Sequence, residues 1–457
     1  MFEYSPAQSL FASPRGTVIK ILSIEERSDF SLEKLLDDEI KNSSLSFSEK
    51  KFVTQCVLNV LQWQGYIDWI LYGFCHTNLG KADVFVRNTL HLALCELFIL
   101  KEHSAEEIFR DIENFILRLR GEKSSVAVLE LLKHIITQQE NIRSFESSKD
   151  PVRQLSVSYS FPLWMVKRWF DRFGFDQTIK LLESHNHVSE SSLRVHKNRI
   201  SVSEFCSILK TNSITFSVSK FCEAVVVIKN NIDENGHTLI QNFIEKKYCV
   251  QHRESSVLAL QLFSARANEN ILLCGEISFE TISFLHETMQ GAGEITILEE
   301  LSVKRNNLLS ECKQMNISNI HFTTFALLSE HKILFDRIFY LSHSSEHGLM
   351  RAKPELKWNN EIETIQEFAK EQKKQLKLYL QFVKQNGILL YATNTIEYDE
   401  NYLVVRSLLD SSADCMLENA AQYVSREVVS RELCIETFPH RHQIDGGFAA
   451  RILKISH

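Results

Sequence analysis

The chain has 457 residues, 44% hydrophobic and 24% charged, with a formal net charge of −7. That length exceeds one compact core and predicts two or three domains. The acidic balance excludes a global basic field, so any nucleic-acid contact must use local patches, and no DNA partner is expected. Ten cysteines are scattered with no Cys-x-x-Cys pair and no histidine clustered beside them, which predicts neither a zinc site nor a disulfide framework, and no metal.

The opening MFEYSPAQSLFASPRG has no basic stretch followed by an apolar run, so no signal peptide is expected. Residues 1–145 read as helices. The stretch 52–71 sets Val53, Val57, Val60 and Leu61 on one stripe, and 86–100 is similarly amphipathic. The most apolar run, residues 89–100, is interrupted by His91 and Glu96 and is too short to span a bilayer; a cytoplasmic protein with no membrane attachment is expected. The polar run 141–154 predicts a linker. LSVSYSFPLWMVKRWFDRFG (155–174) then predicts an amphipathic helix with Pro162 in its first turn. Val166, Trp169, Phe170 and Phe173 share one face; Lys167, Arg168, Asp171 and Arg172 form the other, as solvated surface or as an RNA-contact face.

In SLRVHKNRI (192–200), Arg194, His196, Lys197 and Arg199 are dense enough for a phosphate-facing strip, with a solvated β-edge as the alternative. From about residue 245 the pattern changes. Short apolar runs at 271–274, 295–298, 338–341 and 387–391 suit a buried sheet, with helical stretches between them. The clearest helix is 362–383, with Ile365, Phe368, Ala369, Leu376, Tyr379, Leu380 and Val383 facing inward. This alternation predicts a Rossmann-like doubly wound sheet.

Two C-terminal segments carry the most specific information: FDRIFYLSHSSEHGLMRAKPELKW (335–358) and LLYATNTIEYDEN (389–401). Together with PHRH (439–442) and DGGF (445–448) they resemble signature segments of the RsmB/Sun/Fmu (NOL/NOP) family of RNA cytosine-C5 methyltransferases. The order of the N-terminal helices is similar to the NusB-like domain of the RsmB branch. SLRVHKNRI is similar to the segment that opens that branch's RNA-recognition subdomain. The resemblance runs from about residue 10 to the C-terminus. It implies an α/β protein with an all-α NusB-like domain (1–145), a linker helix and small α+β RNA-recognition subdomain (150–240), and a Rossmann-like S-adenosylmethionine-dependent methyltransferase-type domain (245–457).

Cytosine C5 is a poor nucleophile, and enzymes of this family first add a cysteine thiolate to C6; a second cysteine helps the product leave. The resemblance places the nucleophile at Asn394 and the second cysteine at Ser344, with Leu341 where the motif has aspartate. A carboxamide nitrogen does not attack at neutral pH, and a serine needs a base that Leu341 cannot supply. The family's Asp-x-Cys-Ala-Ala-Pro-Gly-Gly-Lys-Thr turn reads here as Leu273-Cys274-Gly275-Glu276-Ile277-Ser278-Phe279-Glu280-Thr281. Its paired glycines become Ser278/Phe279 or Phe279/Glu280, depending on register, which predicts side chains where backbone should approach the cofactor. The chain has only 14 glycines, roughly 3% against a usual 7% or so. The acid for the cofactor ribose falls on Glu299 or Glu300, with the following LSVKR favouring Glu300; the acid near adenine falls on Phe325. Cys274, close to the implied pocket, reads as a small core cysteine. The basic run after an early helix of the family is here Gln62-Trp63-Gln64-Gly65.

The expectation is a catalytically inactive relative that keeps RNA, specifically rRNA or ribosome, binding. Its basic positions would be Arg194, Lys197 and Arg199; Lys246 and Lys247 with Arg253; and Arg351, Lys353 and Lys357. S-adenosylmethionine is the cofactor the resemblance implies, at a degenerate site of which Glu300 and Cys274 remain. Two alternatives stand beside it. One is an active methyltransferase with diverged motifs and Cys274 as nucleophile. The other is a protein-interaction module whose partner docks on the NusB-like domain.

Overall fold

The computed structural model describes residues 10–28, 30–74, 82–139 and 150–455. They form two compact units: the chain up to Asn186 together with Ala352–Asn359, and His187–Arg351 together with Asn360 onward.

The first unit is helical. Pro14–Glu25 begins on Ser13, whose hydroxyl accepts the Gly16 N–H; Val84–Leu94 begins on Asp83 and Ala105–Arg120 on Ser104 in the same way. The long helix Phe47–Phe74 buries Val53, Cys56, Val57, Val60, Leu61, Ile67 and Ile70, so the predicted stripe continues past its expected ends. The expected helix at 86–100 is not uniform. It is α-helical to Leu94, then widens into a π-turn at Cys95–Leu100 that carries the buried Glu96. Arg15 grips both oxygens of Glu96, at 2.8 and 2.7 Å.

Residues 141–149 of the expected linker lie outside the described residues; Asp150 already caps the helix Pro151–Ser158. The expected helix at 155–174 is two helices, Pro151–Ser158 and Leu163–Phe173, parted at Ser160 (φ +57°). Pro162 is the N-cap of the second helix rather than part of its first turn, and a proline disfavours helical backbone in the residue before it. With Phe175–His185 these helices complete the first unit, which therefore runs past the expected boundary at 145.

The segment Ala352–Asn359 also belongs here. Its Lys357 is fully buried, with Nζ 2.9 Å from Gln62 O, 3.3 Å from Ser160 O and 2.7 Å from Asn186 Oδ1, acceptors that it satisfies two at a time when neutral and together when protonated. The indole of Trp358 donates to Leu61 O at 2.7 Å.

The second unit opens with a four-stranded antiparallel sheet in the order β2-β3-β1-β4. The strands are β1 (Ser191–Val195), β2 (Phe216–Val218), β3 (Val225–Ile228) and β4 (Cys249–Gln251). Helices Val202–Thr211 and Glu234–Glu245 share its core of Leu193, Phe205, Leu209, Val226, Ile240 and Phe243. Because β4 pairs with β1, this subdomain extends past the expected limit at 240.

The main sheet follows: β5 (Asn270–Gly275), β6 (Glu294–Leu298), β7 (Ile320–Thr323), β8 (Phe335–Leu341), β9 (Val383–Thr393), β10 (Cys415–Leu417), β11 (Ile435–Thr437) and β12 (Gly447–Lys454). Its order is β10-β12-β9-β8-β5-β6-β7, with β11 pairing β12. Strands β5 to β9 pair in parallel, and β12 runs antiparallel to β9. The order reverses between β5 and β8, the place where open α/β sheets take ligands. Each face has its own apolar core: helices Glu254–Phe263 and Phe279–Thr288 contribute to one, and Ile362–Leu380 and Tyr402–Ser411 to the other.

Candidate active site

Strands β8 and β9 are parallel neighbours with Leu341 opposite Ala392, so the two motif segments leave the sheet side by side. The Ser342 N–H donates to Ala392 O at 2.9 Å and the Gly348 N–H to Asn394 O at 3.0 Å. A side chain at Gly348 would meet Gly446 O at 2.1 Å, which packs the DGGF segment against both loops. The positions of the lost nucleophile and its partner loop are thus brought to one edge. Asn394 lines a cavity with Leu341, Thr393 and Phe448, closed by Thr281 and by Ser255 and Ser256 from the start of helix Glu254–Phe263. Its volume is about 10 Å³, room for a single water. Ser344 is buried, and its hydroxyl accepts the Glu346 N–H at 3.4 Å.

The loops themselves are held by buried polar groups. Glu400 accepts the Ser345 N–H at 2.9 Å, the Ser345 hydroxyl, and the Gln372 amide at 3.2 Å. Burial pushes its carboxyl above the ordinary range. Thr393 donates to Asn401 Oδ1 at 2.6 Å, and Asn401 returns a bond to Thr395 O at 2.9 Å. His347 and Glu397, both buried, meet at 3.0 Å. His347, Glu397, Glu400 and Asn401 lie within the two signature segments, but their roles as buried polar partners were not read from sequence, and Gln372, on a helix outside both segments, carries no local signal.

At the cofactor edge, Gly275 ends β5 at φ +90°, where a Cβ would lie 1.9 Å from Leu341 O. The next residue, Glu276, reaches across the switch point to His343 at 2.7 Å. That bond raises the His343 pKa above its ordinary value. Phe279, expected to obstruct the cofactor turn, instead turns its ring into the core. Both candidate ribose acids have hydrogen-bond partners close by, and Glu300 is exposed while Glu299 is buried. Glu300 accepts the Phe325 N–H at 2.9 Å; Glu299 accepts the Leu301 N–H at 3.0 Å and pairs with Lys304 at 2.9 Å. Burial pushes the Glu299 pKa up, but those donors hold it below the usual range. Cys274 is fully buried on the opposite face of the sheet, and burial drives its thiol well above the ordinary range, so it is a core residue and no thiolate nucleophile.

The basic positions divide. Arg194 was expected on a phosphate-facing strip, but it is buried: its nitrogens donate to His252 Nδ1 (3.2 Å), Glu287 Oε2 (2.7 Å) and Ser283 Oγ (3.0 Å). His196 is buried beside it, bonded to the same Glu287. Register explains the error. Arg194 points inward from β1, and only Lys197, Asn198 and Arg199, on the turn beyond, are exposed. Arg199 donates to Lys246 O at 3.2 Å, gathering the exposed Lys246 beside it. Lys357 is likewise removed from any surface, and Arg351 is half-buried. Arg253 pairs with Asp445 at 2.9 Å. Among the described residues, no three His, Cys, Asp or Glu side chains gather to hold a metal, and no helix is long and apolar enough to cross a membrane.

Residues 266–453 match the family of 16S rRNA methyltransferases RsmB/F, residues 161–234 the ferredoxin-like domain of RsmF/B-like methyltransferases, and residues 13–125 the NusB family. A probable ribosomal RNA small subunit methyltransferase B from Bacillus subtilis is 25% identical over 95% of this chain and 97% of its own length. Its counterpart in Synechocystis is 22% identical over 97% and 99%. Among solved structures, PH0851 superposes with a TM-score of 0.80 at 19% identity, covering 99% of this chain and all of that one. A methyltransferase homologue from Pyrococcus horikoshii gives a TM-score of 0.56 at 17% identity, over 68% of this chain and all of that one. With successive matches to the NusB family, the ferredoxin-like domain and the RsmB/F methyltransferase, and with relatives similar over nearly their whole length, this chain belongs to the RsmB/Sun family of rRNA methyltransferases.

Proposed function

We propose that this protein is a catalytically inactive member of its family that binds rRNA or the ribosome without transferring a methyl group. The observation that carries the reading is the edge shared by β8 and β9. Asn394 stands where the attacking sulfur is required, in a cavity of about 10 Å³, and an ion pair between Glu276 and His343 spans the cofactor edge. A cytosine adduct needs a thiolate within reach. The buried cysteine in the adjacent strand, Cys274, is held as a thiol.

RNA contact falls to the exposed turn of Lys197 and Arg199 with Lys246, where cations can meet phosphates without reading sequence. The test pairs two measurements on the full chain. Calorimetric titration with S-adenosylmethionine should give no binding heat at millimolar cofactor, and tritium from labelled cofactor should not enter 16S rRNA transcripts. In filter binding, Lys197→Glu with Arg199→Glu should weaken RNA binding and flatten its salt dependence, by roughly 0.7–0.9 in the log–log slope per lost phosphate contact. Tritium in cytosine would overturn the inactive reading. Unchanged RNA affinity in the charge-reversed protein would overturn the assigned RNA surface.

A further inference from the structure

We propose a second site, a nucleobase-binding cleft at the opposite end of the main sheet from the inherited edge. Two helices set the geometry. The first turns of Glu254–Phe263 and Phe279–Thr288 border the small cavity at Asn394, through Ser255 and Thr281. Their last turns, through Gln261, Phe284 and Glu287, border a cleft of about 810 Å³ that also takes in the end of β1 and the segment around Tyr423. Small-molecule sites run roughly 300–1,000 Å³.

The wall of this cleft is chemically specific. Three half-buried rings line it, and each is steadied by a cation: Lys220 lies 5.5 Å from the Phe221 ring centre, Arg194 5.5 Å from Phe284 and Arg451 4.4 Å from Tyr423. The floor is rigid and electrostatically closed. Arg194 spends its donors on Glu287, Ser283 and His252, so it has little to offer a bound anion. At the mouth, Lys197 faces Glu223 at 3.9 Å, and the lining charges balance. Three carboxamides remain at the wall, Asn198, Gln261 and Gln422, and each can donate and accept at once.

Flat rings to stack on, amides to read an edge and no net charge describe a site for a neutral planar heterocycle with donor and acceptor groups, which is a nucleobase. The base can arrive as a free nucleoside or as one unpaired residue of an RNA. This inference does not rest on the loss of methyl transfer.

Ligand-observed NMR on the full chain, with adenosine, guanosine, cytidine and uridine as probes and a pentaribonucleotide as a second arm, tests it. Saturable binding is expected, with at least one base preferred. Phe221→Ala and Gln422→Ala should each weaken it about tenfold, the loss expected from one stacking surface or one edge contact, while circular dichroism stays native. An oligonucleotide that binds tighter than nucleosides, with the same sensitivity to both variants, assigns the base to RNA; equal affinities assign a free nucleoside. Absence of saturable binding, indifference to both variants, or capture of an apolar peptide in place of any base would overturn the cleft. RNA binding that falls with Arg199→Glu but ignores Phe221→Ala, together with nucleoside binding that also ignores Phe221→Ala, would retain the preceding RNA reading and reject this one.

Discussion

One motif segment, residues 335–358, contains two regions with opposite histories. Around Leu341–Ser344 the side chains differ from those that the resemblance leads one to expect, with Ser342 and Ser344 buried and His343 largely exposed. Around Pro354–Trp358, the segment that resembles the family most, Pro354 is buried and Lys357 and Trp358 satisfy backbone carbonyls. A side chain whose partner was a ligand can drift once the ligand no longer matters. One whose partners are buried carbonyls cannot, because every replacement leaves acceptors unpaired. Trp358 shows the same constraint sterically: a side chain at Gly65 would lie 2.5 Å from its ring.

Lys357→Ala should break this contrast hardest. It strands three acceptors and leaves a void, costing roughly 3 kcal/mol by chemical denaturation; a loss near zero would remove the argument that packing preserved the segment. The same lysine has a pH signature. Burial holds its folded pKa well below the ordinary lysine value, so between that value and about 10.4 the unfolded chain binds a proton that the folded chain does not. Stability should therefore rise with pH in that window relative to Lys357→Met, by up to about 1.4 kcal/mol per pH unit.

Gly275→Ala comes next. Positive φ and the approach to Leu341 O predict a loss of roughly 2 kcal/mol, read as a lowered melting temperature. Glu276→Gln should cost no more than about 1 kcal/mol, because the His343 side chain is mostly exposed and screened. Its sign is distinct. A histidine with a raised folded pKa contributes fully below its unfolded value near 6.5 and loses the contribution as pH rises through the raised value. The two proteins should therefore differ in acid and converge in mild alkali, with the His343 titration moving down in NMR spectra of the variant. The smallest effect is expected from Asn394→Cys with Ser344→Cys. Restoring both sulfurs should give no detectable methyl transfer while the cofactor edge remains spanned; activity in that protein would reverse the comparison.

The frame was legible from residues because periodicity records burial. The runs at 271–274, 295–298, 338–341 and 387–391 all lie in strands, and Ile365, Ala369, Leu376, Tyr379 and Leu380 all face inward. Val383 departs from that pattern by starting β9, because the preceding helix stops at Leu380. Around the candidate site, strand ends were legible: Leu341 and Asn394 line one small cavity where β8 and β9 leave the sheet. Orientation was not. Arg194 and Lys357 read as surface cations because charge suggests solvent, whereas each has enough polar partners inside to be buried. The Glu276–His343 pair was invisible because its halves sit on different strands and neither follows a local rule.

The helical unit borrows eight residues, Ala352–Asn359, from far along the chain. On the ribosome, that unit cannot close its interior until synthesis has passed Asn359, so its early helices must wait in a partly open state while most of the second unit is made. Excising residues 10–186 should accordingly yield a piece that protease trims readily, and adding a peptide spanning Ala352–Asn359 should slow the digestion.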